Sequence, residues 1–460
     1  MTSLRYLDLS SNQFNSTISD CFSNFDDLEY LSLGYNGLQG TISSIGLENL
    51  TSIKTLDLSF NELGGKIPTS FVKLCKLTSF DLSYAKLGQD ISEILDIFSA
   101  CAAYELESLF LRGCKISGQL TNQLRLFKNL HALALSDNSL SGPLPAALEE
   151  LSSLTYLDLS NNKLNGTISE IHFVNLTELA FFYANGNSVN FKINSKWVPP
   201  FQLLALRLRS CHLGPQFPSW LHSQKHLSML DISNTRISDI IPRWFWNSIY
   251  QYASLNLSDN QIQGEIPYFA RSLPLRSSMV VLDLSNNALW GSISHLICNE
   301  NNQSESIRYL RLSKNHFSGE IPDCWMNWPD LRVLNLGNNN FTGSIPISMG
   351  TLTSLGSLNL RSNRLSGTLP VSFENCSQLI ALDMGENEFV GNIVTWMGER
   401  FSRLRILNLR SNKLHGIFPI QLFHLTSLQI LDVAYNRLSG SVPKWPITLQ
   451  LWRQLAHTIR

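Results

Sequence analysis

The sequence is poor in charge, and it lacks features that would indicate several common classes of protein. Charged residues make up 15% of the 460-residue chain, against about 25% in ordinary globular proteins. The formal net charge is −1, so there is no electrostatic reason to expect nucleic acid or an anionic membrane surface as a partner. No run of about 18 apolar residues occurs, and the sequence therefore predicts no direct insertion into a membrane.

The motifs of an active site are also missing. The sequence has no glycine-rich phosphate loop, no kinase signature and no cysteine or histidine spacing typical of a metal site. An aspartate does recur at one strand position from Asp8 to Asp432, and a row of carboxylates would suit acid catalysis. An exposed strand position tied to the local backbone explains this row more simply. We therefore predict a protein that is not an enzyme, with no catalytic residues, no cofactor and no metal.

What the chain does contain is one phrase repeated from end to end. LDLSNNKLNGTI at residues 157–168 returns as LDLSFNELGGKIP, LNLRSNRLSGTLP and LDVAYNRLSGSVP. Alignment on the Asn of the phrase gives 18 units, most often 24 residues apart. We call the aligned position the ladder position, and it is occupied by Asn12, Asn36, Asn61, Ala85, Cys114, Asn138, Asn162, Asn187, Cys211, Thr235, Asn260, Asn287, Asn315, Asn339, Asn363, Asn387, Asn412 and Asn436.

The recurring letters have physical reasons. The L-x-L alternation predicts a short strand with one buried face, and stacked coils place such strands side by side, about 4.8 Å apart, as a parallel sheet. An Asn at the ladder position can donate to and accept from the backbone of the next coil, which satisfies buried groups worth about 1–3 kcal/mol each. Ala85 lacks that bond and is predicted to be a weak point, whereas Cys114 and Cys211 are milder substitutions.

The 24-residue unit with the tail L-x-G-x-I-P resembles the plant-specific type of leucine-rich repeat. The resemblance runs from Leu4 to about Pro443 and implies a right-handed, curved solenoid of about 18 repeats. A parallel β-sheet would form the concave face, and loops, 3₁₀ turns and short helices would form the convex face. We predict a solenoid domain over residues 1–443, uncapped at its N-terminus, and a non-repeat C-terminal tail over 444–460.

Longer stretches are similar to the ectodomains of plant receptor-like proteins, among them the receptors for fungal xylanase and the scab and leaf-mould resistance proteins. These stretches include WVPPFQLLALRLRSCHLGPQFPSWL and FSGEIPDCWMNWPDLRVLNLGNNNFTGSIP. The resemblance implies a cell-surface immune receptor that recognises microbial protein or peptide ligands and signals in defence through partner receptor kinases. It places the intact parent at the extracellular face of the plasma membrane.

The chain departs from the plan of that family at both ends. It opens on repeat text without the signal peptide and paired-cysteine cap of the family, and no transmembrane helix follows. We interpret it as an internal fragment or truncated product, with the contacts to partner kinases in regions missing here. Two alternatives stay open: a secreted inhibitor of microbial cell-wall-degrading enzymes, similar to the polygalacturonase-inhibiting proteins, and a truncated receptor fragment without function.

The eight cysteines include two pairs that stacking brings together. The members of each pair are 26 residues apart on adjacent coils, at a similar depth of the convex side. We predict two disulfides, each worth about 3 kcal/mol from loop entropy, and four reduced, buried thiols are the alternative. The predicted pairs are Cys75–Cys101 and Cys298–Cys324. The other cysteines are assigned no partner: Cys21, Cys114, Cys211 and Cys376.

The sequence contains eight N-glycosylation sequons, and several would arise by chance in a chain this rich in Asn and Ser. They stand at Asn15, Asn49, Asn165, Asn175, Asn256, Asn302, Asn340 and Asn375. Asn256 differs from the rest because it lies on the outward face of a predicted concave strand. A glycan at that position would block part of the binding face.

The solvent-facing positions of the concave strands carry the information about a partner. Most are Asp, Ser, Thr or Asn, but units five to nine carry aromatics and arginines, which protein interfaces use as anchors. The predicted ligand-binding residues are Phe110, Arg112, Tyr156, Phe181, Tyr183, Arg207 and Arg209. A basic stripe further on is predicted to meet an acidic patch on a ligand or partner: Arg308, Arg311, Arg332, Arg361, Arg405 and Arg410. For both sets, ordinary variation on a large surface is the alternative.

Overall fold

The computed structural model describes residues 3–17, 22, 25–42, 46–268, 279–298 and 307–441. The chain divides into two compact units, Met1–Ile237 and Ser238–Arg460, which we call unit 1 and unit 2. The predicted tail at 444–460 lies outside the described residues, as do the predicted roles of Cys21 and Asn302.

In unit 1 the L-x-L phrases form short parallel strands, one in each coil. Ten of these strands lie in the described residues: β1 Tyr6–Asp8, β2 Tyr30–Ser32, β3 Thr55–Asp57, β4 Ser79–Asp81, β5 Ser108–Phe110, β6 Ala132–Ala134, β7 Tyr156–Asp158, β8 Phe181–Tyr183, β9 Ala205–Arg207 and β10 Met229–Asp231. The central residue of each strand points inward, and Leu157 for example is fully buried. Because neighbouring strands pair in register, Tyr156, Phe181 and Ala205 stand side by side. We call this surface the main sheet of unit 1.

Unit 2 repeats the arrangement. Its main-sheet strands within the described residues are β11 Ser254–Asn256, β12 Val281–Asp283, β13 Tyr309–Arg311, β14 Val333–Asn335, β15 Ser357–Asn359, β16 Ala381–Asp383, β17 Ile406–Asn408 and β18 Ile430–Asp432. A second set of strands follows the ladder position, and its members pair in parallel with those of adjacent coils. In unit 1 they are Gln39–Thr41, Glu62–Gly64, Ser141–Gly142, Lys163–Leu164, Thr167–Ile168 and Asn190–Phe191. In unit 2 they are Gln263–Glu265, Ala288–Gly291, His316–Glu320, Asn340–Thr342, Ser366–Gly367, Glu388–Asn392, Lys413–Ile417 and Arg437–Ser439.

The return segment of each coil is built from short helices. The α-helices of the described residues are α1 Ile91–Ser99, α2 Arg243–Asn247, α3 Ser294–Ile297 and α4 Trp396–Arg400. The 3₁₀ helices are Leu47–Asn49, Thr69–Lys73, Ala102–Tyr104, Asn122–Leu126, Ala146–Glu150, Glu170–Phe173, Ser219–Ser223, Ile249–Gln251, Trp325–Asn327, Ile347–Thr351, Val371–Asn375 and Ile420–His424. A proline such as Pro68 or Pro346 directly precedes several of them in an extended conformation, because proline lacks the N–H that sheet pairing needs. Both units therefore have the predicted leucine-rich-repeat architecture.

The side chains at the ladder position join adjacent coils, as predicted, but their partners lie on the preceding coil rather than on the next one. The Nδ2 of Asn162 donates to the carbonyl of Leu135 at 2.9 Å, and its Oδ1 accepts the N–H of Leu140 at 2.9 Å. Asn339 and Asn363 make the same pair of bonds in unit 2.

Cysteine at the ladder position weakens the side-chain bond to the preceding coil but does not abolish it. The thiol of Cys114 donates to the carbonyl of Leu82, with sulfur and oxygen 3.1 Å apart, and the thiol of Cys211 donates to the carbonyl of Ala184 at 3.2 Å. The methyl group of Ala85 is buried and has no atom that can donate or accept. The predicted ranking of these substitutions therefore has a structural basis.

The residue before the ladder position has a positive φ, between 52° and 73°, in all 18 coils of the described residues. Glycine occupies this position in two coils, at Gly113 and Gly186, although non-glycine residues adopt such angles uncommonly. The backbone N–H at this position donates to the next coil, as from Asp137 to the carbonyl of Ser160 at 2.9 Å. The conformation therefore accompanies the repeat whatever side chain is present.

Two disulfides join adjacent coils, and they are the pairs that the spacing predicts. The Cα atoms of Cys75 and Cys101 are 4.9 Å apart, and those of Cys298 and Cys324 are 5.2 Å apart. The remaining cysteines of the described residues are buried thiols: Cys114, Cys211 and Cys376. Burial raises the pKa of each of these three thiols to about 12, so they are protonated and unreactive at neutral pH.

Candidate functional site

Three aromatic side chains meet on the main sheet of unit 1. Strands β7 and β8 pair with Tyr156 opposite Phe181 and Asp158 opposite Tyr183. The ring of Tyr156 lies 6.0 Å from that of Phe181 and 5.7 Å from that of Tyr183, centroid to centroid, and the second pair is nearly perpendicular at 88°. Edge-to-face pairs of this kind are favourable beyond the area they bury. The rings are half-buried, so their outer edges remain available.

Arg207 completes the group. Register places it beside Tyr183 on the next strand, and its guanidinium lies 5.0 Å from the centroid of the Tyr183 ring, a cation–π distance. Burial raises the pKa of Tyr156 to about 12 and also raises the pKa of Tyr183, so both phenols stay neutral at physiological pH. We call Tyr156, Phe181, Tyr183 and Arg207 the aromatic cluster.

The other predicted ligand-binding residues in unit 1 are separate from the cluster. Phe110 and Arg112 belong to the coil of β5, and the whole of β6 lies between that coil and β7. Arg112 is engaged within the chain, because its Nε donates to a carboxylate oxygen of Asp137 at 2.7 Å, which raises the pKa of Arg112. Arg209 is exposed just after β9. The structure thus brings together four of the seven predicted residues.

Alanines beside the aromatic cluster are a feature that the sequence analysis overlooked. Ala132 pairs with Tyr156 on one side, and Ala205 pairs with Phe181 on the other. Ala205 is fully buried, so its methyl group does not rise above the sheet. One small residue on each side leaves the rings without a bulky neighbour at this strand position. The available signal was the alanine at the first position of both flanking strands.

The predicted basic stripe divides into a paired set and an exposed row in unit 2. The arginines of the first set are paired with acids of adjacent coils: Arg311 with Asp283 at 3.7 Å, Arg361 with Glu386, and Arg410 with Asp432 at 3.3 Å. Hydrogen bonds from Ser362 and Arg361 lower the pKa of Glu386, so this carboxylate remains ionised. The exposed row lies directly before strands β13, β14 and β17: Arg308, Arg332 and Arg405. The exposed row is therefore the part of the stripe that presents its charge to solvent.

Most sequon asparagines in the described residues are exposed: Asn15, Asn49, Asn165, Asn175, Asn340 and Asn375. Asn256 is half-buried on β11, where its Oδ1 accepts the N–H of Ser258 at 3.0 Å. That bond engages the amide oxygen of Asn256. A glycan would be attached to the amide nitrogen instead.

The described ranges also bear on metal binding and on membrane insertion. Within them, no group of three or more His, Cys, Asp or Glu side chains is arranged to hold a metal ion. No helix among the described residues has the length and apolar character needed to cross a membrane.

Comparison with known proteins adds independent support for the repeat. The family described as Leucine rich repeat matches residues 128–189, 305–365 and 398–452, and a second pattern for the same repeat matches residues 3–25, 52–74 and 226–248. Together these matches cover just over half of the chain.

Curated relatives and solved structures are similar over different extents. Receptor-like protein EIX2 of Solanum lycopersicum is 39% identical over 183 residues, which are 36% of this chain and 18% of that protein. Receptor-like protein 41 of Arabidopsis thaliana is 30% identical over 367 residues, covering 69% of this chain and 38% of that protein. The chain thus spans well under half the length of these relatives. Its fold matches the ectodomain of the Arabidopsis thaliana membrane receptor kinase GASSHO1/SCHENGEN3, solved with CASPARIAN STRIP INTEGRITY FACTOR 2, with a TM-score of 0.80, 32% identity, and 95% of this chain and 54% of that chain covered.

Proposed function

Because the chain belongs to the leucine-rich-repeat family, among its plant receptor-like proteins, we propose that the main sheet of unit 1 binds a microbial protein or peptide at the aromatic cluster. The chain then serves as the ligand-binding part of a receptor at the extracellular face of the plasma membrane. Defence signalling would pass through partner receptor kinases that contact other parts of the intact protein.

The contiguity of the aromatic cluster is the observation that carries this proposal. Tyr156 and Tyr183 present ring edges, and Arg207 adds a cation held against Tyr183. Tyrosine and arginine are the residue types that supply most of the binding energy in protein interfaces, especially when they cluster. The solved receptor kinase ectodomain that is similar in fold was crystallised with a bound factor, which supports the same use of the architecture here.

The exposed arginines of unit 2 extend the proposal. Arg308 and Arg332 stand on adjacent strands, and the N–H of Arg332 donates to the carbonyl of Arg308 at 2.8 Å, so two positive side chains emerge next to each other. Like charges directly opposite on a sheet disfavour the free protein, and an acidic patch on a ligand or partner would relieve this repulsion. Arg311, Arg361 and Arg410 are already paired and contribute to the stacking of coils.

The exposed sequons fit the proposed location. A receptor at the cell surface passes through the secretory pathway, where asparagines in N-x-S/T sequences receive glycans. We expect the exposed sequon asparagines to carry them, whereas Asn256 on the main sheet of unit 2 is less accessible.

The experiment compares a double variant with a matched control. Tyr183→Ala combined with Arg207→Ala removes the cation–π pair of the cluster. Arg5→Ala combined with Tyr6→Ala removes the same residue types from exposed positions of the first coil. Proteins of a fungal culture filtrate are passed over immobilised wild-type and variant chains. We expect a filtrate protein that the wild type and the control retain and that the cluster variant releases.

Two results would overturn the proposal. Equal retention by the wild type and by the cluster variant would remove the binding site from the aromatic cluster. Failure of the wild type to retain any filtrate protein across fungal and bacterial filtrates would remove the microbial ligand. Circular dichroism and the yield of secreted protein show whether each variant is folded before binding is compared.

A further inference from the structure

A second group of aromatic side chains lies at the ends of main-sheet strands in unit 1, apart from the aromatic cluster. Tyr35, Phe60 and Tyr84 occupy the position before the ladder position in three successive coils. The rings of Tyr35 and Phe60 stack with centroids 4.2 Å apart and planes 13° apart, and those of Phe60 and Tyr84 are 4.5 Å and 37° apart. The three side chains are 55%, 38% and 39% exposed. We call them the ring stack.

The backbone conformation of the ring stack is unfavourable for aromatic residues. All three residues have positive φ, at 55°, 52° and 67°, a region in which bulky side chains are rare. Several other coils carry residues that tolerate this conformation better, such as Asn161 and Gly186, although Tyr435 adopts it as well. The contacts between the rings offset part of this strain, and local strain of this kind concentrates at functional sites.

The hydrogen bonds of this edge do not require the rings. The N–H of Tyr35 donates to the carbonyl of Ser59 at 2.9 Å, and the N–H of Phe60 donates to the carbonyl of Ser83 at 2.8 Å. Equivalent bonds form in coils where the residue is Asp, Asn or Ser. Since these amides are already engaged between coils, a partner cannot bind here by adding a strand to the sheet. Recognition must use the side chains.

The chemistry of the ring stack is apolar with two hydroxyl groups. Arg112 closes one end, with its guanidinium 5.9 Å from the centroid of Tyr84, but its charge is already paired with Asp137. Gly113 leaves room for the Tyr84 ring, because a Cβ at that position would lie 2.9 Å from a ring carbon. The stack therefore offers ring edges and tyrosine hydroxyls, and it is suited to an uncharged partner.

We propose that the ring stack binds a proline-rich segment of another protein in the polyproline II conformation. Such a helix rises about 9 Å in each turn of three residues, and the two centroid spacings of the stack together span about 9 Å. Aromatic surfaces recognise this conformation because proline rings pack against them at low entropic cost. The carbonyls of a polyproline II segment have no internal partners, so the hydroxyls of Tyr35 and Tyr84 can donate to them.

This site is independent of the aromatic cluster. The ring stack belongs to the coils of β2 to β4, whereas the cluster belongs to those of β7 to β9. A proline-rich segment held at the stack leaves the cluster free for the proposed ligand. The chain would then contact two different partners through unit 1.

The experiment uses the full chain and a decaproline peptide as the probe, with binding measured by calorimetry. A glycine-serine peptide of the same length is the negative probe. Tyr35→Asn, Phe60→Asn and Tyr84→Asn together replace the rings by a residue that other coils carry at this position. We expect the triple variant to bind decaproline at least tenfold more weakly than the wild type. Its thermal unfolding midpoint should change little, because the strain that asparagine relieves offsets the ring contacts that are lost.

A matched control removes another exposed stack. Tyr6 and Tyr30 have rings 4.2 Å apart on the main sheet, and Tyr6→Asn with Tyr30→Asn should leave decaproline binding unchanged. The single variant Tyr35→Asn provides a milder test and should weaken binding severalfold. Absence of decaproline binding to the wild type, or equal binding by the triple variant, would overturn the proposal. A marked fall in the unfolding midpoint of the triple variant would show that the rings serve stability instead.

Discussion

Replacing Asn162 by alanine tests how the coils are held together. Asn162 is 8% exposed, and its Oδ1 is an acceptor for the buried N–H of Leu140 at 2.9 Å. The carbonyl of Leu135, which accepts from Asn162, also accepts from the side chain of Asn138 at 3.0 Å. The substitution therefore leaves the Leu140 N–H as the main unsatisfied group, at about 1–3 kcal/mol, together with a small cavity.

We expect Asn162→Ala to lower the free energy of unfolding by about 2–3 kcal/mol. Urea denaturation followed by circular dichroism measures this loss. Amide hydrogen exchange of the segment containing Leu140 should become faster, because this segment opens more readily once the bond to its N–H is lost.

Asn12→Ala is the matched control, because it removes the same residue type from the same ladder position. The side chain of Asn12 is exposed and donates to the carbonyls of Leu9 and Ser10 within its own coil. We expect its loss to be below about 1 kcal/mol. If Asn162→Ala costs no more than Asn12→Ala, and exchange at Leu140 is unchanged, the bonds between coils do not stabilise the stack as argued.

Two further predictions concern buried titratable groups. Burial raises the pKa of Asp81 above the ordinary 3.8. The folded chain is therefore less stable once pH rises above about 4, where Asp81 ionises more readily in the unfolded chain than in the folded one. The free energy of unfolding of Asp81→Asn, measured in urea at pH 7, should therefore equal or exceed that of the wild type, and the difference should shrink below about pH 4. A lower free energy of unfolding for the variant at pH 7 would contradict this. The thiols of Cys114, Cys211 and Cys376 should resist iodoacetamide in the native chain and react in urea, as mass spectrometry can show, because burial raises the pKa of each to about 12; labelling in the native chain would refute their burial.

The period of the repeat made the main sheet and part of the site predictable. Once the ladder positions are aligned, parallel strands pair in register, and Tyr156, Phe181 and Tyr183 must fall on neighbouring strands. The same alignment brings Arg207 beside Tyr183. These neighbours follow from the repeat pattern and its spacing alone, and they could therefore be predicted from the sequence.

Contacts between different repeat positions of adjacent coils were not predictable, because the sequence was compared at one repeat position at a time. Arg361 pairs with Glu386, which stands one position closer to the ladder of its own coil. Arg112 pairs with Asp137 in the same offset arrangement. Each arginine therefore looks free when its own row is examined, although an acid on the neighbouring coil neutralises it.

The positive φ before the ladder position had no sequence signal. Residues as different as Ser11, Tyr35 and Glu386 adopt it, and the N–H of each donates to a carbonyl of the next coil. A similar adjustment occurs after Cys114, where Lys115 has a φ of 58° and the carbonyl of Cys114 accepts the N–H of Leu87 at 3.1 Å. A backbone carbonyl there takes the acceptor role that asparagine fills in other coils.

The role of the aromatic cluster is tested most directly by mapping where a retained microbial protein contacts the chain. Hydrogen exchange of the complex should show protection of peptides containing Tyr156, Tyr183 and Arg207, with little change in the return segments that contain Ile347 and Ile420. Protection confined to those return segments, with the cluster peptides unchanged, would contradict the assignment of the main sheet of unit 1 as the ligand-binding surface.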